Sequence, residues 1–185
     1  MSSSTKLNVD SFGVEVSPTL YWSIIGSLLY LTASKPDIAF SVGVCARYQA
    51  APKESHLTAV KRIIRYINGT PDYGLWYSKD SNACLVECSD ADWAGSVDDR
   101  KSTSGGFFYL GNNLVSWMSK KQNSVSLFTA EAEYIAAGSC CTQLLWMKKL
   151  LHDYWIPQDT MCIFCDNTSA INLSKNPVSI QTLST

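Results

Sequence analysis

The sequence predicts an α/β protein in which a small helical region precedes a mixed β-sheet with packed helices. Three observations support this prediction. Apolar residues recur at helical spacing through the first part of the chain, most clearly over residues 55–68. From about residue 73, short apolar runs are bounded by turn residues, which is typical of strands. A long helical segment, roughly 130–154, then precedes a last apolar run, and a helical crossover of this kind joins parallel strands.

Length and composition favour a packed globular protein. The chain has 185 residues, of which 46% are hydrophobic and 17% are charged, and its formal net charge is -1. Residues 1–82 carry eight Lys/Arg against six Asp/Glu, and residues 83–185 carry seven against ten. Neither half is the strongly basic surface that would indicate nucleic-acid binding by charge alone. A polyanion would therefore have to bind through local basic patches, or through cations that the acidic half binds.

Cysteine usage and hydropathy bear on the cellular compartment. Seven scattered cysteines, with no signal peptide ahead of them, predict a reducing, intracellular compartment for a non-secreted protein, either cytoplasmic or nuclear. The longest apolar run, YWSIIGSLLYLTA, is shorter than the roughly 20 residues that span a bilayer, so it predicts a core helix and no membrane partner. Cys162 and Cys165 have C-x-x-C spacing, but residues three apart in a strand point to opposite faces, so zinc is not predicted.

The first predicted elements are a polar N-terminal segment and three helices. Residues 1–16 are Ser-rich without a sustained period and are predicted to be flexible. Ser17-Pro18 favours a helix start, because proline is preorganised for the first helical position. Ser55 is the expected N-cap of the third helix, and Gly69 is its expected end. The predicted helices lie at roughly 18–33, 36–49 and 55–68, within a helical region that spans 17–72.

Three cations of the third helix lie off its apolar stripe. The stripe is formed by Val60 and by the isoleucines at 63, 64 and 67. The cations are Lys61, Arg62 and Arg65. Two interpretations stay open for them: a solvated charged face, which is the commoner use of such residues, or a face that contacts phosphates.

The sheet elements follow from residue 73. CLVEC leads into Asp90, and GGFFYL and LVSWMS flank Gly111-Asn112-Asn113, which is a strong hairpin signal, so an antiparallel meander is predicted. Thr129 is expected to cap the long helix. MCIFC then predicts a strand parallel to a neighbour and leads into Asp166. The remaining predictions are a short helix over about 168–175, a sheet domain over 73–178 and a tail over 179–185.

Acidic residues follow two of the predicted strands. Asp90 comes after CLVEC and Asp166 comes after MCIFC. Ligands gather beyond the carboxyl ends of parallel strands, and neighbouring strands lie about 5 Å apart. Two carboxylates so close repel each other unless they are protonated or bridged by cations. For either acid alone the alternative is a cap on the following turn or helix, as for Asp166 ahead of NTSA.

The long helix offers a third acid, either Glu131 or Glu133. The two lie about 200° apart around the helix axis, so only one can face the sheet. Glu133 shares a stripe with small and apolar residues, whereas Glu131 lies in the first turn, where an acid interacts favourably with the helix dipole. We therefore assign Glu133 to the site. Three inward carboxylates suit Mg²⁺, and paired Mg²⁺ ions can hold the attacking and leaving oxygens of a phosphodiester.

The chain contains several longer motifs in a fixed order. The second half has SDADWAG…DDRKSTSGG, SWMSKKQ, TAEAEYIA and CDNTSAI, and upstream are IIGSLLYLTASKPDIAFSV, HLTAVKRIIRYINGT and GLWY. The first set resembles the ribonuclease H domain of copia-type (Pseudoviridae) retrotransposon polyproteins. The second set resembles the thumb and connection region that ends the reverse transcriptase of the same polyproteins. The resemblance covers roughly residues 20–178 and implies a ribonuclease H-like sheet, with Asp90, Glu133 and Asp166 as catalytic, metal-binding acids.

The resemblance also implies an activity and its partners. Members of this fold cut the RNA strand of RNA–DNA hybrids with two Mg²⁺ ions, for which Mn²⁺ is an alternative. They would select the hybrid through 2′-hydroxyl contacts and minor-groove shape. The expected partner is therefore an RNA–DNA hybrid or another nucleic acid. Candidate phosphate contacts are Arg100, Lys101, Ser102, Thr103, Lys120 and Lys121, in addition to Lys61, Arg62 and Arg65.

The sequence departs from the family pattern after its NPV motif. The family continues with a stretch like HSRTKHID and supplies a fourth acid on a last helix, whereas this chain continues with SIQTLST and has no acid after Asp166. A C-terminally truncated member is therefore predicted. The polymerase Y-x-D-D aspartates are absent, which excludes polymerisation by this chain. The open functions are an active ribonuclease H, a catalytically inactive truncated or domesticated remnant that binds nucleic acid or protein, and an unrelated α/β binding protein.

Overall fold

The computed structural model describes residues 6–79, 82–158 and 160–176. The predicted tail at 179–185 lies outside these residues, as do the first five residues of the predicted N-terminal segment. Within the described ranges, no helix combines the length and the apolar character that crossing a membrane requires. Contacts divide the chain into two compact units, which are described separately.

The division falls between Leu75 and Trp76, and Ser96–Asp99 also belong to the first unit. The first unit is helical, as predicted. Ser17 caps its first helix by accepting a hydrogen bond from Leu20 N at 3.4 Å. The predicted second helix is split into a 3-10 turn and a shorter α-helix. The elements are α1 (Pro18–Leu31), the 3-10 turn (Pro36–Ile38), α2 (Ala39–Ala46) and α3 (Glu54–Gly69).

One apolar core holds these helices together. Tyr21, Ile25, Val42 and Val60 are completely buried in it. The Tyr21 hydroxyl donates to the carbonyl oxygen of Cys45 at 2.8 Å, so the one polar atom of this large side chain is satisfied inside the core.

Helix α3 begins at Glu54 with Lys53 as its N-cap, so the prediction of Ser55 as the cap is wrong. The imidazole of His56 supports this start, because its Nδ1 accepts from Lys53 N at 2.9 Å and takes the place of the Glu or Gln at the third position of a capping box. Its Nε2 donates to Asn8 O at 2.7 Å. Ser55 instead donates its hydroxyl hydrogen to Asp10 at 2.6 Å.

The N-terminal segment is tied to this unit where the sequence predicted flexibility. Glu54 N donates to Val14 O at 2.9 Å, and Val16 N donates to Pro52 O at 3.1 Å. The Tyr48 hydroxyl donates to Leu7 O at 3.0 Å. On the side of the N-terminal segment, these bonds use backbone groups, which every residue type carries. A pattern of side chains in the sequence therefore cannot predict them.

The second unit contains a four-stranded mixed sheet of order β3-β2-β1-β4. Strands β1 and β2 are antiparallel, as are β2 and β3, whereas β4 pairs in parallel with β1. The predicted meander and the parallel strand after the helical crossover are therefore confirmed. The elements are β1 (Leu85–Asp92), β2 (Thr103–Leu110), β3 (Asn113–Lys121), α4 (Thr129–Asp153), β4 (Cys162–Phe164) and α5 (Thr168–Lys175).

Two details of the sheet bear on the site. The hairpin between β2 and β3 has a two-residue loop, in which Gly111 has a φ of 59°, a conformation that favours glycine. Strand β1 continues past Asp90 to Asp92, because β2 pairs with it as far as Thr103. The sequence ended this strand too early, since successive acids interrupt its apolar pattern.

Helix α4 packs on one face of the sheet. Leu85, Phe108, Cys140 and Leu144 form the core between them, and all are buried. Phe128 occupies the N-cap position and makes no side-chain capping bond, so the prediction of Thr129 as the cap is wrong. The carboxylate of Glu131 instead accepts a hydrogen bond from Leu127 N, the residue before the N-cap, at 2.7 Å.

The approach of α4 to the sheet depends on Gly106. A Cβ at this position would lie 2.7 Å from Cys140 Sγ and 3.2 Å from Met118 Cγ. We expect Gly106→Ala to lower the free energy of unfolding by about 1–3 kcal/mol through overpacking. Gly138→Ala is the matched control on α4, where an added Cβ meets nothing within 4 Å, and it should raise stability by about 0.5–1 kcal/mol. Urea denaturation measures both, and equal effects of the same sign would contradict the packing argument.

Candidate metal centre

Two acids extend from the adjacent parallel strands β1 and β4. The last residue pair between these strands joins Cys88 to Phe164. Asp90 and Asp166 each lie two residues beyond that pair, and both are exposed. Matched positions on neighbouring strands are about 5 Å apart, so both acids stand at the same edge of the sheet.

Glu133 comes to this edge from helix α4. It is 7% exposed, in contrast to the half-buried Glu131 two residues earlier. One of its carboxylate oxygens accepts a hydrogen bond from Ala91 N at 3.2 Å. Strand β4 has already ended at this level, so the amide of Ala91 is free to bind the helix residue. The helix acid is thereby fixed against the strand that carries Asp90.

The second carboxylate oxygen of Glu133, Oε2, is buried without a hydrogen-bond partner. A buried carboxylate oxygen in this condition is costly unless it is protonated or meets a cation. Burial is the largest cause that raises the pKa of Glu133, and the negative charges of Asp90 and then Asp166 raise it further. The hydrogen bond from Ala91 N acts in the opposite direction. The negative charges of Asp90 and Asp166 therefore both make ionisation of Glu133 less favourable.

Asp166 is not used as a helix cap. Helix α5 is capped by the next residue, Asn167, whose side-chain oxygen accepts a hydrogen bond from Ala170 N at 3.0 Å. The capping alternative for Asp166 is therefore wrong, and its exposed carboxylate remains available to a ligand.

One group of potential metal-ligand atoms among the described residues includes a residue that was not predicted from the sequence. One ligand atom from each of Glu133, Cys165 and Asp166 lies within 4.8 Å of the other two, close enough for one metal ion to gather them. Asp90 is outside this group, although its charge acts on Glu133. The two carboxylates fit a hard cation such as Mg²⁺, whereas the thiol is a soft donor. The C-x-x-C spacing drew attention to Cys165 but not to its acidic neighbours.

Comparison with known proteins gives extensive matches to retrovirus-related Pol polyproteins. The chain is 40% identical over 179 residues, or 96% of its length, to the Retrovirus-related Pol polyprotein from transposon RE2 of Arabidopsis thaliana. It is 42% identical over 157 residues, or 84% of its length, to that from transposon TNT 1-94 of Nicotiana tabacum. The chain belongs to the copia-type family of retrovirus-related Pol polyproteins. The resemblance found in its motifs is thereby confirmed.

The match covers a small part of these Pol polyproteins. The chain spans 12% of the length of each. A shorter relative, the Secreted RxLR effector protein 161 of Plasmopara viticola, is 42% identical over 128 residues, which are 69% of this chain and 90% of that protein. No family model and no solved structure matches the chain.

The candidate phosphate contacts of the second unit divide into buried and accessible residues. Ser102 and Thr103 are buried, and the Ser102 hydroxyl accepts a hydrogen bond from Ala94 N at 3.1 Å. Their prediction as phosphate contacts is therefore corrected, because both side chains face the interior. The other candidates of this unit retain exposed surface and stay predictions: Arg100 and Lys120 are exposed, and Lys101 and Lys121 are half-buried.

The cations of helix α3 lie on the surface of the first unit. Lys61, Arg62 and Arg65 are exposed, as their place off the apolar stripe predicted. Exposure is common to a solvated face and to a phosphate-binding face, so both interpretations stay open.

A fourth acid of the second unit was overlooked. Glu87 is completely buried on strand β1, and neither of its carboxylate oxygens has a hydrogen-bond partner. Burial raises its pKa to about 7. The neighbouring Cys140 thiol acts in the opposite direction, but a thiol is a weak donor and does not offset the burial. Glu87 lies in the interior between sheet and helix, apart from the exposed strand ends.

Proposed function

We propose that this chain is a ribonuclease H-like protein that hydrolyses the RNA strand of RNA–DNA hybrids with the help of divalent metal ions. One observation carries the proposal: the unpartnered, buried oxygen of Glu133 lies within the electrostatic reach of both Asp90 and Asp166. Carboxylates placed so close repel each other, and bound cations would relieve this repulsion. The mixed sheet with α4 on one face is compatible with a ribonuclease H-like fold, and the Pol polyprotein relatives make nucleic acid the expected partner.

Each acid has a distinct part in the proposed site. Glu133 is attached to β1 by its bond from Ala91 N, and its second, unpartnered oxygen would hold the metal. Asp166 contributes an exposed carboxylate beside it. Asp90 adds a third from the parallel neighbour strand, and its charge strengthens the attraction for cations. Two bound Mg²⁺ ions would supply activation of the attacking water and stabilisation of charge on the leaving oxygen.

Cysteine chemistry agrees with a reducing compartment, which we retain as part of the proposal. All seven cysteines are free thiols. Two of them, Cys45 and Cys140, are buried in the two cores, where they pack as small apolar side chains.

The test is cleavage of a labelled RNA–DNA hybrid by the purified chain with and without Mg²⁺. We expect cuts in the RNA strand only, and none in duplex RNA or duplex DNA. Asp90→Asn should lower the rate by at least ~10²-fold, because it removes a charge from the metal site. Equal cleavage by the two proteins would point to a contaminating nuclease and contradict the site.

The same experiment addresses the alternative of an inactive binding module. If the wild-type chain binds the hybrid, but cuts nothing at saturating Mg²⁺ or Mn²⁺, the hydrolytic function is wrong. The chain would then be a nucleic-acid-binding relative of the Pol polyproteins without catalysis.

A further inference from the structure

Cys165 is the one soft donor in a group of otherwise hard ligands. Its thiol is half-buried, so it is accessible to an ion, and Sγ lies 4.0 Å from Asn167 O, to which it donates a weak hydrogen bond. One ligand atom from each of Glu133, Cys165 and Asp166 is within 4.8 Å of the others. A set of one thiolate and two carboxylates is a ligand set for zinc rather than for magnesium.

We propose that Glu133, Cys165 and Asp166 form a mixed thiolate–carboxylate site that binds a borderline or soft divalent cation, with Zn²⁺ as the reference ion, in competition with Mg²⁺. Zinc takes tetrahedral sites of N, S and O donors, with a water completing the fourth position where the protein supplies three ligands. Binding replaces the Cys165 thiol proton, which is released to solvent, and it breaks the weak bond to Asn167 O.

An observation independent of the spacing supports a cation at this place. The Glu133 side chain is more than nine-tenths buried, and its Oε2 has no hydrogen-bond partner although Oε1 is satisfied by Ala91 N. A protein of this size has polar atoms of this kind chiefly where a ligand, water or proton completes them. The unpartnered oxygen is on a residue of the same three-residue group, so a metal ion bound by that group would offer it a partner.

The inference deepens the proposed function, since inhibition of cleavage by zinc presupposes that Glu133 and Asp166 also serve the nuclease. An ion seated on Cys165 would take two carboxylates away from the octahedral arrangement that Mg²⁺ requires. A thiolate ligand favours Zn²⁺ over the hard Mg²⁺, so Zn²⁺ would displace Mg²⁺ from these residues. Cation binding itself does not depend on hydrolysis and is measured separately.

The direct experiment titrates the metal-free, reduced full chain with Co²⁺ and records the sulfur-to-cobalt charge-transfer absorption. Wild type should develop this band with one ion per chain, and Zn²⁺ should remove it. Cys165→Ser should lose the band. Cys162→Ser is the matched control, because Cys162 is an exposed cysteine on the preceding strand, and it should keep the band. Glu133→Gln should weaken Co²⁺ binding by about 10–100-fold.

The outcomes separate this inference from the nuclease proposal. Absence of the band in wild type, or its persistence in Cys165→Ser, would overturn the mixed site whatever the cleavage assay gives. A cobalt band without any hydrolysis would support the mixed site and contradict the nuclease. Where hydrolysis is present, Cys165→Ser should need at least ~10-fold more Zn²⁺ than wild type for half-inhibition, each measured relative to its own zinc-free rate. Equal zinc sensitivity of wild type and Cys165→Ser would contradict competition between Zn²⁺ and Mg²⁺ at the mixed site.

Discussion

Glu133→Gln is expected to abolish metal-dependent cleavage while the fold stays intact. The amide oxygen of glutamine can still accept the hydrogen bond from Ala91 N, so the attachment of α4 to β1 is preserved. The negative charge that would hold the cations is lost. Because even residues that only support metal ligands cost 10–100-fold on mutation, we expect the cleavage rate to fall by at least ~10²-fold.

The same substitution should make the metal-free protein more stable at neutral and alkaline pH. Burial and the charges of Asp90 and Asp166 raise the pKa of Glu133. A carboxyl with a raised folded-state pKa loses stability as pH rises through the interval between its unfolded and folded pKa values, and that loss remains above it. Glutamine has no such loss. Thermal unfolding at pH 8 without divalent ions should therefore show a higher midpoint for Glu133→Gln than for wild type.

Glu131→Gln is the matched control, since it lies in the same helix two residues earlier. Glu131 lies in the first turn of α4, and its carboxylate accepts a hydrogen bond from Leu127 N, just before the helix. Loss of this charge should cost about 0.3–1 kcal/mol of stability and leave cleavage unchanged. Activity that survives in Glu133→Gln, or disappears equally in Glu131→Gln, would contradict the assignment of Glu133 to the site.

The strand ends and the helix face were predictable because they depend on periodicity. Alternation along a strand and 3.6-residue spacing along a helix are local rules, and they indicated a shared edge for Asp90 and Asp166 and an inward face for Glu133. In the structure the charges of Asp90 and Asp166 both act on Glu133, but the group of candidate ligand atoms contains only Glu133 and Asp166 of the three acids. A parallel neighbour for β4 followed from the intervening helix, which is a rule of chain connection, and the structure gives β1 as that neighbour.

The features that were missed depend on contacts between distant parts of the chain. Cys165 joins the candidate metal group only because α4 brings Glu133 to the end of β4. The ties of residues 7–16 to residues 48–56 use mainly backbone groups of the N-terminal segment, such as Val14 O, which accepts from Glu54 N, and such contacts leave no periodic signal in the sequence. At the start of α3, the His56 imidazole accepts a hydrogen bond from the backbone N–H of the N-cap residue Lys53. Residue preferences for helix caps do not include this use of histidine. Local sequence rules cannot predict contacts between residues that are far apart in the chain.

Glu87 shows the same limit in a different form. Charged residues are almost never fully buried without a partner, so sequence reasoning treats an acid within an apolar strand as a solvent-facing interruption. Here the alternation of β1 places Leu85 and Glu87 on the face that packs under α4. The strand register and the helix position decide this burial, and neither is local to the CLVEC motif.

The resulting prediction concerns the pH dependence of stability. The folded-state pKa of Glu87 is about 7, above its ordinary value of 4.5. Below pH 4.5 the group is protonated in both states and costs nothing by charge. Between 4.5 and 7 the unfolded chain is ionised while the folded chain keeps its proton, so the free energy of unfolding falls by about 1.4 kcal/mol per pH unit. Above pH 7 the accumulated loss, on the order of 3 kcal/mol, stays constant.

Glu87→Gln removes this loss because glutamine is neutral at every pH. We expect the variant to be more stable than wild type at pH 8 by about 3 kcal/mol relative to their difference at pH 4.5, where that difference reports only the cost of burying an amide. Urea denaturation across pH 4.5–8 measures both curves, with Glu131→Gln as the control that removes a carboxylate without removing a buried charge. A wild-type slope that is unchanged in Glu87→Gln would show that Glu87 is ionised at low cost, and that an unseen partner satisfies it in the folded state.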